Sequence, residues 1–184
     1  MKPFIKERVL PLSLTAVILL IDQVTKALVV KVQPLHPARI LDVFNNEFLI
    51  LYHVRNKAIA FSLGENLPDA VKPVIFIIVP ILVLGFLVWY YFKTNEFTVF
   101  QRWAAAGILG GGLGNMTDRI FRPDGVVDFI SVNIYNLFGM ARWPTFNFAD
   151  SSVVVCCILL LISMFFFLKK PKEQKKEVNN EQKN

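Results

Sequence analysis

Four long apolar runs separated by polar stretches set the architecture. Residues 9–30 ("VLPLSLTAVILLIDQVTKALVV"), 71–92, 102–121 and 149–168 are each long enough, at 1.5 Å per residue, for a helix of about 30 Å, the thickness of a bilayer's hydrocarbon core. Pro73 and Pro80 interrupt the second run, which membrane helices tolerate where neighbours re-satisfy the backbone. Lys2, Lys6 and Arg8 precede the first run as in a signal peptide, but its apolar length and lack of a small-x-small cleavage site predict that it is retained. The third run carries the small-xxx-small pairs Gly107/Gly111 and Gly110/Gly114, which let a second helix approach closely.

The polar stretches have patterns of their own. "EFLILYHVRN" alternates, placing Phe48, Ile50, Tyr52 and Val54 on one strand face and Leu49, Leu51, His53 and Arg55 on the other. With "ARILDVF" upstream and Asn45 and Asn46 as turn residues, a small hairpin or sheet is expected over about 38–64. "RPDG" reads as a turn, with Pro123 and Gly125 at its signature positions. The segment "VVDFISVNIYNLFGMARWP" after it is amphipathic and aromatic-rich. It is expected to lie in the membrane interface as a short helix, or to lend its aromatic side chains to a lid. The fold class is therefore a mainly α membrane protein, with four transmembrane helices, a small β region and a short interfacial helix.

Composition sharpens this picture. The 184 residues are 54% hydrophobic and 18% charged, whereas soluble domains carry about a quarter charged residues. The net charge of +6 lies at the ends of apolar runs rather than in an aromatic-interleaved patch, which excludes nucleic acid as a partner. With both termini on one side, that side (1–8, 93–102, 169–184) holds 11 Lys and Arg, against 7 on the other (31–71, 119–149) over twice the length. The positive-inside rule then makes both termini cytoplasmic and the β region extracytoplasmic. The tail 169–184, "KKPKEQKKEVNNEQKN", is expected to be a disordered basic segment beside the lipid surface. Cys156 and Cys157 are adjacent, without a C-x-x-C or His partner, and read as small apolar residues rather than metal ligands.

Against this background the ionisable residues stand out, because charge in or near a bilayer costs several kcal/mol, of order 3, unless paired. Asp22 and Lys26 sit at i, i+4, either as a structural ion pair with a snorkelling Lys26 or as substrate-positioning groups. Asn115, Asp118 and Arg119 form one polar stripe near the outer end of the third run, with Asp118 expected to pair with Arg119 or another cation. Asp124 fits an exposed turn. Asp128, in "VVDFI", has no adjacent cation, and Asp150 opens the fourth run in a helix first turn. Both are expected at the same outer boundary. Two carboxylates in a low-dielectric site share a proton, the arrangement an aspartic protease needs. Helix N-terminal amides favour Asp150 as the ionised partner at rest.

The blocks "DQVTK" (22–26), "NKAIAFS" (56–62), "GNMTDR" (114–119), "VVDF" (126–129) and "FNFAD" (146–150), in this order, resemble those of the lipoprotein signal peptidases, or signal peptidase II, bacterial membrane aspartyl proteases. The resemblance covers nearly the whole chain apart from the tail. It implies four transmembrane helices with an extracytoplasmic β-cradle, and a catalytic pair at Asp128 and Asp150. Asp22, Lys26, Asn56, Asn115, Asp118, Arg119 and Asn147 match positions that shape the site or contact substrate. The implied substrate is a prolipoprotein carrying diacylglycerol on the cysteine that becomes residue one after cleavage. The implied setting is the bacterial cytoplasmic membrane, with the site at its outer face, no metal or cofactor, and a monomer among membrane lipids. The usual N-x-G-A-A-F motif is here Asn56-Lys57-Ala58-Ile59-Ala60-Phe61, adding bulk at Ala58 and Ile59 where a peptide or lipid passes. A proton-coupled transporter subunit and a non-catalytic assembly factor are the rival readings.

Overall fold

The computed structural model describes residues 4–32, 41–57, 67, 68 and 70–167. Ala58, Ile59 and the tail 169–184 lie outside the described residues. Four helices are present: α1 (Leu12–Val32), α2 (Val79–Lys93), α3 (Val99–Phe121) and α4 (Phe148–Phe167). Single π-helical turns, Ile5–Val9 and Val74–Ile78, lead into α1 and α2. Each of the four apolar runs overlaps one of these helices. Three stretches, Ile5–Val32, Val74–Lys93 and Phe148–Phe166, are long and apolar enough to cross a membrane on those grounds alone. Leu20, Leu82, Phe86, Leu161 and Phe166 stand exposed along them, giving these helices an apolar outward face.

The remaining helix, α3, is as long but owes its lower hydropathy to glycines and a polar stripe, and it is the hub of the bundle. Thr98 starts it with a capping box: its hydroxyl accepts from Gln101 N at 3.2 Å, and Gln101 Oε1 accepts from Thr98 N at 2.9 Å. Three consecutive glycines then point to three different neighbours, as the 100° turn per residue requires. A Cβ on Gly110 would meet Ile18 of α1 at 2.9 Å, one on Gly112 would meet Leu84 of α2 at 2.5 Å, and one on Gly111 would collide with the Ala149 carbonyl of α4. Gly107 likewise faces Cys156 of α4, and Gly114 faces Asp22 of α1. The two glycine pairs do admit close neighbours, one pair toward each of α4 and α1. Cys156 and Cys157 are free thiols, the first buried in this contact.

At the end of the bundle where α3 begins, Arg102 is buried and closes the end of α2. It donates to the carbonyls of Tyr91 at 2.7 Å and Thr94 at 2.8 Å, where a cation also suits the helix dipole. Tyr91 in turn donates its hydroxyl to the Arg8 carbonyl at 2.8 Å, tying in the first π turn.

The opposite end carries a three-stranded antiparallel sheet, β1 (Leu41–Asp42), β2 (Leu49–Asn56) and β3 (Val126–Val132), in the order β1-β2-β3. The hairpin through Asn45 and Asn46 is as expected, but the simple alternation in β2 is not. Leu51 pairs with Ile130 and Val54 with Asp128, so Tyr52 and His53 together oppose Phe129. This β-bulge shifts the alternation by one, and the buried residues of the strand are Ile50 and His53, from opposite sides of the expected pattern. The short helix expected after β3 is a single 3-10 turn, Leu137–Gly139. Positive φ at Tyr135, Asn136 and Phe138 breaks any longer helix there. The segment instead folds back as a hairpin, with Asn133 opposite Arg142 and Ile130 opposite Phe146, and delivers the chain to α4.

Candidate functional site

The polar side chains singled out in the sequence converge where the sheet meets α1, α3 and the start of α4. Asp128 is carried by β3 immediately after the Arg122–Gly125 turn. Gly125, at φ +100°, passes so near Asn56 that a Cβ would lie 2.5 Å from its carbonyl oxygen, a conformation and a space suited to glycine. Asp128 is buried, and its two oxygens accept from Asn56 Nδ2 at 2.8 Å and Asn147 Nδ2 at 2.7 Å. The bulge makes the first of these bonds geometrically available. Because Val54 and Leu51 end up on one side of β2, Asn56 shares the Asp128 face rather than the opposite one.

Asp150 sits in the first turn of α4, and Asn147 caps that helix. Asp150 N donates to Asn147 Oδ1 at 3.0 Å, and Asn147 N donates to Asp150 Oδ2 at 3.1 Å, a reciprocal box with Asp in the third position. The other oxygen of Asp150 accepts from Asn115 Nδ2 at 2.7 Å. Asn147 therefore binds both carboxylates, and its Nδ2 also donates to Asn115 Oδ1 at 2.9 Å.

Beneath this amide layer lies an ionic knot. Lys26 Nζ is 2.9 Å from Asp22 and 3.2 Å from Asp118, with all three side chains fully buried, and it donates to Asn115 Oδ1 at 3.0 Å. Lys26 does not snorkel: two carboxylates and an amide hold it inside. Asp118 pairs with Lys26 and, at 3.5 Å, with Arg122, one turn on, as the "other cations" of the expected network. The carboxylates of the knot also reach the backbone. Asp118 Oδ2 accepts from Val127 N at 3.0 Å and Asp22 Oδ1 accepts from Ala149 N at 3.0 Å, in each case the residue just before a site aspartate. Arg119 leans over the Phe76 ring at 5.4 Å, and its charge acts on Asp128, Asp150 and Asp118. All nine residues expected at the site are thus brought into one connected region.

Gln23 was not anticipated. Its Nε2 lies 3.1 Å from Asp22, the Gly114 carbonyl and Asp118, and its Oε1 accepts from Arg122 at 3.4 Å. Its neighbour on the helix points about 100° away, so helical spacing hides it. The Asn147–Asp150 box, by contrast, has a readable N-x-x-D signature.

Burial pushes the Asp128 carboxyl up to about 6, and the Asp150 charge adds to this, while the Asn56 and Asn147 hydrogen bonds and Lys26 oppose it. A strand-borne carboxyl that holds its proton more tightly than usual, joined through one asparagine to a second carboxyl, is an arrangement able to serve acid–base chemistry. Among the described residues no group of three His, Cys, Asp or Glu side chains is arranged to hold a metal ion.

Comparison with known proteins gives a consistent result. A sequence profile of the family described as Signal peptidase (SPase) II matches residues 14–166. The chain is 39% identical over 148 residues to the lipoprotein signal peptidase of Treponema pallidum (strain Nichols), covering 80% of this chain and 78% of that protein. It is 43% identical over 148 residues to that of Treponema denticola, covering 80% and 84%. A solved bacterial membrane enzyme, determined by the in meso method at 2.3 Å, superposes with a TM-score of 0.74 at 29% identity, covering 89% of this chain and 92% of that one. A second, at 1.9 Å, gives 0.70 and 28% identity over 88% and 94%.

Proposed function

The chain belongs to the signal peptidase II family, and on that premise we propose that it is an aspartic endopeptidase that cuts diacylglyceryl-modified prolipoproteins just before the lipidated cysteine. Asp128 and Asp150 are the catalytic pair. The observation that carries this reading is the double role of Asn147, whose side chain is hydrogen-bonded to Asp128 while its main chain and side chain box in Asp150.

In the working cycle Asp150 is the ionised partner and takes a proton from water as that water attacks the scissile carbonyl. Asp128, protonated, donates a hydrogen bond to the carbonyl oxygen as charge develops there. Its proton affinity is already raised in the free enzyme, and seating an apolar signal peptide expels more water and raises it further. When the tetrahedral intermediate collapses and the C–N bond breaks, the proton that Asp150 took from water passes to the leaving amine of the cysteine. Asn56, Asn115 and Asn147 fix the two carboxyls. Asp22, Lys26 and Asp118 hold the backbone on which they ride, and Arg119 supplies positive charge beside them.

The basic residues support a topology with both termini and the tail 169–184 cytoplasmic and the sheet outside. The pair then lies at the outer membrane boundary, where a diacylated substrate presents its scissile bond while its acyl chains stay in hydrocarbon. Family membership sets aside the transporter and assembly-factor readings.

The test is cleavage of a purified diacylated prolipoprotein in detergent micelles, followed by release of the signal peptide. Wild type should cleave, and Asp128→Asn and Asp150→Asn should each lose at least about 10³-fold in kcat, as expected when one member of an acid–base pair is removed. Substantial cleavage by either folded variant removes the dyad.

A further inference from the structure

The hairpin between β3 and α4 has no part in the chemistry above, yet its tip is unusual. Tyr135, Leu137 and Phe138 are 71%, 57% and 77% exposed, so the tip does not pack over the aspartates as a lid. From Asn133 to Ala141, "NIYNLFGMA", there is no Asp, Glu, Lys, Arg or His. The tip is also well fixed. Asn133 N donates to the Phe48 carbonyl at 2.8 Å, Arg142 donates to the Glu47 carbonyl at 2.8 Å, and Arg142 also grips Ser131 through Oγ at 2.7 Å and O at 2.8 Å. These bonds stitch the hairpin to the β1–β2 turn, which itself exposes Val43, Phe44 and Phe48. Among the described residues, the positive-φ residues other than glycine, Asn45, Glu47, Tyr135, Asn136 and Phe138, all fall in these two turns. Backbone strain of order 1–3 kcal/mol per residue persists only where the surroundings enforce it.

We infer that the two stitched turns form a fixed anchor whose aromatic and aliphatic tip, Tyr135, Leu137 and Phe138, is immersed in the lipid interface of the host membrane. The occupant is lipid rather than a protein partner for three reasons. The tip offers no charge to a partner. Its mixture of Tyr, Phe and Leu is that of interfacial belts and anchors. It also connects α3, which ends on the exposed Ile120 and Phe121, to the apolar α4, so both helices it joins carry outward apolar surface. Held this way, the sheet bearing Asp128 and Asn56 keeps a set height and tilt at the bilayer. The inference does not depend on which residues are catalytic.

The test uses full-length protein in vesicles of phosphatidylcholine and phosphatidylglycerol, with Cys156 and Cys157 replaced by alanine and an environment-sensitive nitrobenzoxadiazole label on Phe138→Cys. Tyr135→Cys is the second position, and Asp124→Cys, in the exposed RPDG turn, is the aqueous control. Thermal unfolding close to that of the unlabelled protein shows that each variant is folded. The expected result is blue-shifted emission at both tip positions, quenched by lipids brominated near the headgroup end of the acyl chain and insensitive to aqueous iodide, with the reverse at Asp124. Water-like, iodide-quenched emission at the tip overturns the inference. So does a blue shift that appears only when diacylated prolipoprotein is added, or only at high protein density. The first would make the tip a substrate clamp, the second a contact between copies.

Discussion

A free aspartate titrates near 3.8, and Asp128 in the fold is pushed up to about 6, first by burial and then by the charge of Asp150. The folded protein therefore binds this proton more tightly than the unfolded chain. The associated stability is fully present below about pH 4 and is lost as pH rises through about 6. Asp128→Asn has no such loss, so its unfolding midpoint should gain on wild type from pH 4 to pH 8. The limit is about 3 kcal/mol, from 1.36 kcal/mol per pKa unit. Thermal unfolding in micelles across that range checks this, and parallel curves at every pH would contradict it. Asp150→Asn removes the second cause and leaves the first. The midpoint of Asp128, followed by the infrared band of its protonated carboxyl, should fall from about 6 and yet stay above 3.8. Lys26 works in the other direction, neutralising two buried carboxylates at 2.9 and 3.2 Å. Lys26→Met should cost about 3–5 kcal/mol, with part recovered in the double variant with Asp22→Asn, a coupling that a double-mutant cycle measures.

Among the elements, the glycines of α2 and α3 offer a graded series. Gly85 of α2 has open space where a Cβ would go, so Gly85→Ala should stabilise by about 0.5–1 kcal/mol through helix propensity alone. At Gly112 the obstacle is the end of the flexible Leu84 side chain, and alanine there should be mildly unfavourable. At Gly111 the obstacle is the Ala149 main chain, and at Gly114 it is the Asp22 carboxylate at 2.6 Å. Alanine at either should cost about 1–3 kcal/mol and depress cleavage more than Gly112→Ala, because α4 carries Asp150 and Asp22 holds its first turn. Unfolding midpoints and kcat for the four variants test the order. The helices were legible in the sequence because their signal is one-dimensional: apolar runs, and glycines at spacing four. Which neighbour each glycine faces was not, since that depends on how helices are arranged around α3. The strand faces failed for a similar reason, because a bulge exists only in the register between two strands. The short helix failed because an amphipathic pattern does not report the positive φ of Tyr135, Asn136 and Phe138.

At the scale of the whole molecule, the membrane end and the site end are organised by the same helix. Arg102 near the start of α3 ties off α2, and Asn115 and Asp118 near its finish collect α1, β3 and α4 around one lysine. The site residues were legible as short blocks scattered from 22 to 150; their order in depth, amides above and ions below, was not. The extra residue in β2 has a consequence for how this chain tolerates change. Because the bulge holds one residue to spare, losing Tyr52 would only regularise the strand: His53 alone would oppose Phe129, Val54 would stay opposite Asp128, and Asn56 would keep its amide on that carboxyl. One residue added between Val54 and Asn56 has the opposite effect, since strand parity is binary and the Asn56 amide would turn to the other side of the sheet. Asp128 would then lose a hydrogen bond that favours its charged form. The strand thus tolerates a one-codon deletion at its bulge but not a one-codon insertion beyond it.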